Sequence, residues 1–303
     1  MEHSRTLEMN QSSKEKSVVA LGMFDGVHAG HRQLLSTAAA LAKNEGLRFV
    51  VYTFKNHPLS VFQKSPKLLC SFSERVKLLY SFGANLVEAD DFTLELAATE
   101  PEAFVKSLYE RFNIKYAVAG FNYSFGKNGA GNTALLKELG KKLGFKTCEV
   151  EPYLFEGKPV SSTRIRMLLQ EGNISASNAM LEREYSLSGT VIRNRRIGNT
   201  IGFPTANLGG IDDMALPGIG VYATRTFVDN ETYHSVTSIG KNPTVGGKSV
   251  SVETHIMDFD RDIYGKTLTV SFAEFLRGEL PFDNVDELAK QIKRDVERAR
   301  GIL

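Results

Sequence analysis

The chain has 303 residues, 42% of them hydrophobic and 24% charged, with a formal net charge of +2. That balance fits a folded globular protein with room for two domains, and near-neutrality gives no electrostatic case for a nucleic-acid or membrane partner. The two cysteines, Cys70 and Cys148, lack metal-knuckle spacing and are too few for a disulfide framework, so packing in a reducing cytoplasm is expected.

The chain opens with polar residues through Lys16. They contain no apolar core for a secretory signal and predict a flexible tail over residues 1–16. No stretch approaches the ~20 apolar residues of a membrane span. Val18 to Leu21 then reads as a short strand ending at Gly22. A helical pattern follows from His31, with Leu34, Leu35, Ala38, Leu41 and Ala42 on one face and Gly46 as its stop. Phe49 to Phe54 is a buried strand, Glu74 to Phe82 a helix, and Leu86-Val87 a short strand. Pro101 suits a first helical turn, with Phe104, Leu108 and Phe112 on the face that follows. Tyr116 to Gly120 is a strand, Thr133 to Leu143 a helix, and Phe145 to Val150 a strand. This alternation predicts an α/β domain with a doubly wound parallel sheet, whose ligands bind beyond the carboxyl ends of its strands.

After two short helical segments the pattern changes near Ser188. Strand-like runs cover 190–193, 221–228, 233–239, 249–258 and 267–272 with no helix between them. They predict a small antiparallel β-barrel. One long amphipathic helix, about Val285 to Arg300, closes the chain with Leu288, Ile292 and Val296 on its apolar face. The expected division is 17–185 and 186–303.

Two regions carry chemistry. Gly22, Phe24, Asp25, Gly26, His28, Gly30 and His31 lie where a strand becomes a helix. Backbone N–H groups at a helix start favour anions, and glycines let phosphate oxygens approach. Histidines three apart can donate to one phosphate region and stabilise charge there. Farther on, Ser161, Ser162 and Thr163 precede a helical pattern and read as an N-cap. Arg166, one turn on, can also clamp phosphates through two N–H groups. In the barrel, the run from Gly189 to Asn207 includes Gly198, Gly202, Pro204, Thr205 and Asn207. The glycines suit close approach to phosphate, and Thr205 and Asn207 can offer oxygens to Mg²⁺. Pro204 to Asn207 equally fits a plain turn, and Arg193, Arg195 and Arg196 a solvated basic turn or weak nucleic-acid patch. Glu253 by itself reads as a strand carboxylate facing water.

The first loop and the Ser161–Arg166 string together resemble the HxGH nucleotidyltransferase superfamily. Within it, Thr53 to Pro58, Gly120 to Gly126 and that string are similar to the adenylyltransferase module of bacterial bifunctional riboflavin kinase/FAD synthetase. Ile239 to Thr244, Val252 to Phe259 and Asp262 to Lys266 resemble the kinase domain of the same enzymes, in the same order. The resemblance implies phosphorylation of riboflavin to FMN by ATP, then transfer of AMP from ATP to FMN, giving FAD and pyrophosphate, with Mg²⁺ at both steps. It implies that His28 and His31 serve adenylyl transfer and that the loop, with Ser162, Thr163 and Arg166, handles ATP. Asn122 falls on the flavin-associated asparagine, and His57 is either a site residue or part of the strand's exit. In the barrel, Thr205 and Asn207 would bind Mg-ATP, and Glu253 would act as general base on the ribityl hydroxyl. Asn194 and Asn199 depart from the pattern, which often has glycine and a basic residue there. A second reading keeps the adenylyltransferase and makes the barrel a kinase-inactive flavin-binding or regulatory module. A third, a nucleic-acid binder using the arginines, is disfavoured by the charge balance. Small-molecule substrates alone are expected as partners, on a monomer or transient homo-oligomer.

Overall fold

The computed structural model describes residues 15–193, 202–244 and 247–303. Most of the predicted tail therefore lies outside the described residues. The chain divides into two compact units, one of residues 1–66 with 72–161 and the other of residues 67–71 with 162–303.

The first unit is built on five parallel strands, β1 (Ser17–Leu21), β2 (Arg48–Phe54), β3 (Leu86–Asp90), β4 (Ile114–Gly120) and β5 (Lys146–Val150). Their order is β3-β2-β1-β4-β5. The helices are α1 (Ala29–Glu45), α2 (Phe72–Ser81), the single turn α3 (Leu94–Ala97), α4 (Pro101–Phe112) and α5 (Thr133–Leu143). A small hairpin, β6 (Leu154–Phe155) and β7 (Lys158–Pro159), follows β5. Successive strand residues face opposite ways, and β1 is apolar on both faces. Val19 and Leu21 pack with Phe104, Leu108 and Leu136 of α4 and α5. Val18 and Ala20 pack with Leu34, Leu35 and Ala38 of α1 and Leu79 of α2. Helix α1 stops where the sequence predicts, because Gly46 takes a left-handed φ of 61° and its N–H caps Ala42 and Lys43.

The second unit contains α6 (Ser162–Gln170), α7 (Ile174–Leu181) and the strands β8 (Tyr185–Ile192), β9 (Ala206–Gly209), β10 (Gly220–Val228), β11 (Glu231–Thr244), β12 (Gly247–Ile256) and β13 (Thr267–Arg277). The strands close a barrel in the order β10-β11-β12-β9-β8-β13, with antiparallel pairing throughout. The last helix, α8 (Val285–Ile302), packs on β10, β11 and β13.

Three details differ from the sequence reading. The first barrel strand begins at Tyr185 rather than at residue 190, because the Tyr185 N–H is held by Asn178 Oδ1 at 2.7 Å and pairing with β13 starts at once. Strand β9 has no strand pattern in the sequence, where Pro204 to Asn207 fits a turn, yet Ala206 and Asn207 pair with Thr254 and Glu253. Its pairing is tertiary and leaves no local pattern. On α8, Leu288, Ile292 and Val296 are only half-buried, whereas Asp295 and Ala299 are buried. Asp295 is drawn inward by Arg277 of β13, whose Nε and Nη2 donate to its carboxylate at 2.7–3.1 Å.

The barrel interior holds a chain of hydroxyls, all from side chains with no solvent exposure. Thr226 meets Ser235 at 2.8 Å, and Ser235 meets Thr224 at 2.7 Å. Thr224 then meets Thr237 at 2.8 Å, and Thr237 meets Thr254 at 2.9 Å. Buried hydroxyls are costly without partners, and here each one has at least one.

Candidate active sites

In the first unit, the strand order changes direction between β1 and β4, the switch point where open α/β sheets bind ligands. The loop carrying the two histidines leaves β1 at that edge. Asn122 follows β4, its neighbour on one side, and His57 follows β2, its neighbour on the other. Three parallel strands thus deliver three of the predicted site segments to one end of the sheet.

The loop is tightly built. Phe24 and Val27 are fully buried at positive φ, 53° and 39°, and Gly26 has φ 78°. A β-branched residue in that region is a true outlier, costing on the order of 1–3 kcal/mol, and such strain clusters at functional sites. The Val27 N–H donates to Phe24 O at 3.0 Å, and Thr53 Oγ1 donates to Met23 O at 3.1 Å. Asp25 is buried with them. A side chain at Gly22 would strike the Phe24 ring at 2.9 Å, so this position must be bare.

His28 is the N-cap of α1, its Nδ1 accepting from the His31 N–H at 3.4 Å. An accepting Nδ1 carries no proton, which leaves the proton of a neutral ring on Nε2. The two imidazoles stack with centroids 3.6 Å apart and planes at 16°. A Cβ at Gly30 would meet the His28 ring at 3.4 Å, an ordinary van der Waals contact. Phe24 meets His31 edge-on. Nδ1 of His31 is sealed from solvent with no hydrogen-bond partner among the described residues. Burial first, then the nearby His28 and Arg75, hold the His31 pKa well below the usual histidine value. His31 is therefore a neutral imidazole at physiological pH.

Arg75 of α2 was not anticipated by the sequence reading. It is fully buried, and its Nη2 donates to Phe54 O at 2.6 Å and Lys55 O at 3.0 Å. Its Nη1 lies 3.9 Å from the Met23 sulfur. The guanidinium therefore ties the end of β2 to the start of the histidine loop. Arg75→Met is expected to lower the unfolding free energy by on the order of 3 kcal/mol, because two carbonyls lose a charged donor. Urea unfolding of the full chain measures this.

The other predicted residues of the first site have local roles as well. Asn122 is exposed in a turn closed by Tyr123 N–H to Gly120 O at 2.9 Å. His57 caps a 3₁₀ turn, its Nδ1 accepting from the Leu59 N–H at 3.1 Å. Ser162, Thr163 and Arg166 stand on α6, in the second unit, where Arg166 Nε donates to Lys67 O at 2.5 Å.

In the barrel, Glu253 of β12 lies opposite Asn207 of β9. The carboxylate is half-buried and bonds the Thr205 and Ser251 side chains. Burial raises its pKa above the usual range, while those two hydrogen bonds pull the other way. A cavity of about 310 Å³ lies beside it, lined by Thr205, Pro204, Val191, Thr254, Phe259 and Tyr264, among others. Thr254 faces the barrel interior, so Glu253 points to the opposite side of β12. Thr205 thus touches both cavity and carboxylate. The aromatic wall was not assigned from sequence, because Phe259 and Tyr264 come from the loop after β12 and only the closed barrel brings them to Thr205.

Thr205 and Asn207 can each offer a side-chain oxygen, the ligand type that suits Mg²⁺. That ion usually takes one or two protein ligands and completes its shell with water and substrate phosphates. Among the described residues there is no cluster of three or more His, Cys, Asp or Glu able to hold a metal. Gly202 has the left-handed φ of 80° that a glycine supplies. Gly198, Asn194, Asn199, Arg195 and Arg196 lie outside the described residues. Arg193 rests on the Tyr264 ring at 5.2 Å.

Comparison with known proteins gives a consistent result. A family model described as FAD synthetase matches residues 10–164, and one described as riboflavin kinase matches residues 181–303. A Listeria monocytogenes bifunctional riboflavin kinase/FMN adenylyltransferase is 36% identical over 289 residues, covering 94% of this chain and 91% of that protein. The Bacillus subtilis protein of the same name is 34% identical, covering 95% and 93%, and the Escherichia coli K12 protein is 31% identical, covering 96% and 94%. A solved Streptococcus pneumoniae structure, described as a macrolide-efflux protein, superposes with a TM-score of 0.87 at 33% identity, covering 95% of this chain and 94% of its own. Among the described residues no helix is long and apolar enough to cross a membrane. With relatives above 30% identity matched over nearly their whole length, this chain belongs to the bifunctional riboflavin kinase/FMN adenylyltransferase family.

Proposed function

We propose that this chain makes FAD from riboflavin in two ATP-dependent steps, one in the barrel and one at the parallel sheet. The observation that carries the reading is the pair of separate sites, a stacked histidine loop at the switch point and a carboxylate–threonine pair beside a cavity, on a chain whose relatives carry both activities in their names.

In the kinase step, ATP takes the cavity at Thr205, and the ribityl hydroxyl of riboflavin meets Glu253. Glu253 accepts the hydroxyl proton as the oxygen attacks the γ-phosphate, and ADP leaves. Its raised pKa makes it a better base than a free carboxylate. Thr205 and Asn207 would hold Mg²⁺, which offsets phosphate charge when bound.

In the adenylyl step, a phosphate oxygen of FMN attacks the α-phosphate of ATP, and pyrophosphate leaves. His28 and the neutral His31 donate hydrogen bonds to the charge that develops there. Asn122 and His57 are proposed on the flavin side. Gly22, Phe24, Asp25, Gly26 and Gly30 shape the phosphate cradle. Ser162, Thr163 and Arg166 are assigned to ATP on the family resemblance. We carry residues 17–185 and 186–303 as the two functional assignments. Cys70 and Cys148 form no disulfide, which fits a reducing cytoplasm as the compartment.

Chromatographic product analysis tests the reading. Riboflavin with ATP and Mg²⁺ is expected to yield FMN and then FAD. If FAD forms only from supplied FMN, the barrel is kinase-inactive and the bifunctional reading fails.

A further inference from the structure

The kinase reading assigns roles to Thr205, Asn207 and Glu253 but leaves open what fixes the turn on which Thr205 stands. Regular pairing of β9 with β12 covers Ala206 and Asn207. Pro204 and Thr205 precede it, without regular structure. Pro204 has no N–H to anchor, so its carbonyl is the one backbone hydrogen-bonding group it offers.

That carbonyl is held. His255 Nδ1 lies 2.9 Å from Pro204 O. A carbonyl only accepts, so the histidine donates from Nδ1. The tie bridges 51 positions of sequence. Its placement follows from the strand period. His255 is two residues beyond Glu253 on β12, so both side chains leave the same face of the strand. On that face Glu253 bonds the Thr205 side chain, and His255 bonds the residue just before it. Phe203 packs edge-on against the imidazole, with ring centroids 5.3 Å apart, which limits its rotation. Two adjacent residues of the turn are thus pinned to two side chains of one rigid strand.

We propose that His255 is a positioning residue for the kinase step, fixing the Pro204 carbonyl and with it the aim of Thr205 at the nucleotide. It touches no reacting atom. Its contribution is orientation, and the ring serves as a donor at Nδ1. The proposal rests on the kinase reading of the barrel.

The test uses the full chain, in which FAD formation from supplied FMN is an internal measure of folding. His255→Ala is expected to lower kcat/KM for ATP in FMN formation by roughly tenfold, at the low end of losses for residues supporting metal or substrate ligands. The loss should fall on KM for ATP more than on KM for riboflavin. FAD formation from FMN should stay within twofold of wild type. His255→Asn places an N–H donor near the position of Nδ1 and should recover most of the loss. His255→Gln places its donor one bond farther out and should not. Calorimetric titration of ADP with Mg²⁺ should show weakened affinity at the kinase site in the alanine and glutamine variants only. Equal kinase activity in all four chains, or an asparagine variant as impaired as the glutamine one, overturns the proposal. If His255→Ala does not fold, the asparagine–glutamine comparison decides alone. A wild-type chain that makes no FMN removes the kinase reading, and the proposal with it. A wild-type chain that makes FMN alongside indifferent variants removes only the proposal.

Discussion

His31→Ala is expected to cut FAD formation from FMN by about 10²–10³-fold while leaving FMN formation from riboflavin unchanged, the magnitude being that of a lost transition-state donor. Separate assays with riboflavin and with FMN on the same purified variant measure this. The prediction follows from a ring fixed from several sides. His28 stacks on it, Phe24 meets its edge, and Arg75 holds the loop from below. Such a donor needs no reorganisation as charge develops on phosphorus. The same burial makes a thermodynamic prediction. His31 titrates well below its unfolded value of about 6.5, so the folded chain binds fewer protons than the unfolded one in that range. Its contribution to stability is full above that value and declines as pH falls toward the folded pKa. His31→Ala should therefore flatten the acid limb of the stability curve. Comparable loss of both activities in a folded variant would exclude two independent sites.

The reverse pattern is expected for Glu253→Gln, with FMN formation falling by about 10²–10⁴-fold, the usual worth of a general base, and FAD formation from supplied FMN preserved. Glutamine keeps the shape but takes no proton. The wild-type pH profile carries a second signature. Burial raises the Glu253 pKa, so the base is lost to protonation at a higher pH than an ordinary carboxylate would be. The acid limb of kcat/KM for FMN formation should thus lie above the usual glutamate range. Thr205→Val removes one of the hydrogen bonds that lower this pKa, so it should move that limb still higher.

Much of the molecule was legible in the sequence because local signals and tertiary structure agree. Gly46 and Pro101 mark real helix ends, and the apolar run of β1 is buried on both faces as a central parallel strand must be. The histidine loop was legible because its pattern lies in consecutive residues. What stayed hidden depends on distant partners. Arg75 sits in a helix rich in charge, and nothing local separates it from a solvated arginine; the carbonyls of Phe54 and Lys55 draw it inside. Strand β9 has only four residues and takes its identity from β8 and β12. His255 stood in a string that resembled the kinase family, but its bond to Pro204 joins segments that only the closed barrel brings together.

The hydroxyl chain inside the barrel has a consequence for how the barrel closes. Thr224 and Thr226 of β10, Ser235 and Thr237 of β11 and Thr254 of β12 form one ladder across three strands. Methyl-bearing isosteres would fill the same space and bury more apolar surface, but they would fit almost any stagger of neighbouring strands. A hydroxyl donates in one direction and is expensive to strand without a partner. Sliding β11 by two residues would keep every side chain on its own face yet would pull the donors and acceptors out of step. The ladder therefore works as a combination lock on shear, trading some apolar burial for a single way of closing.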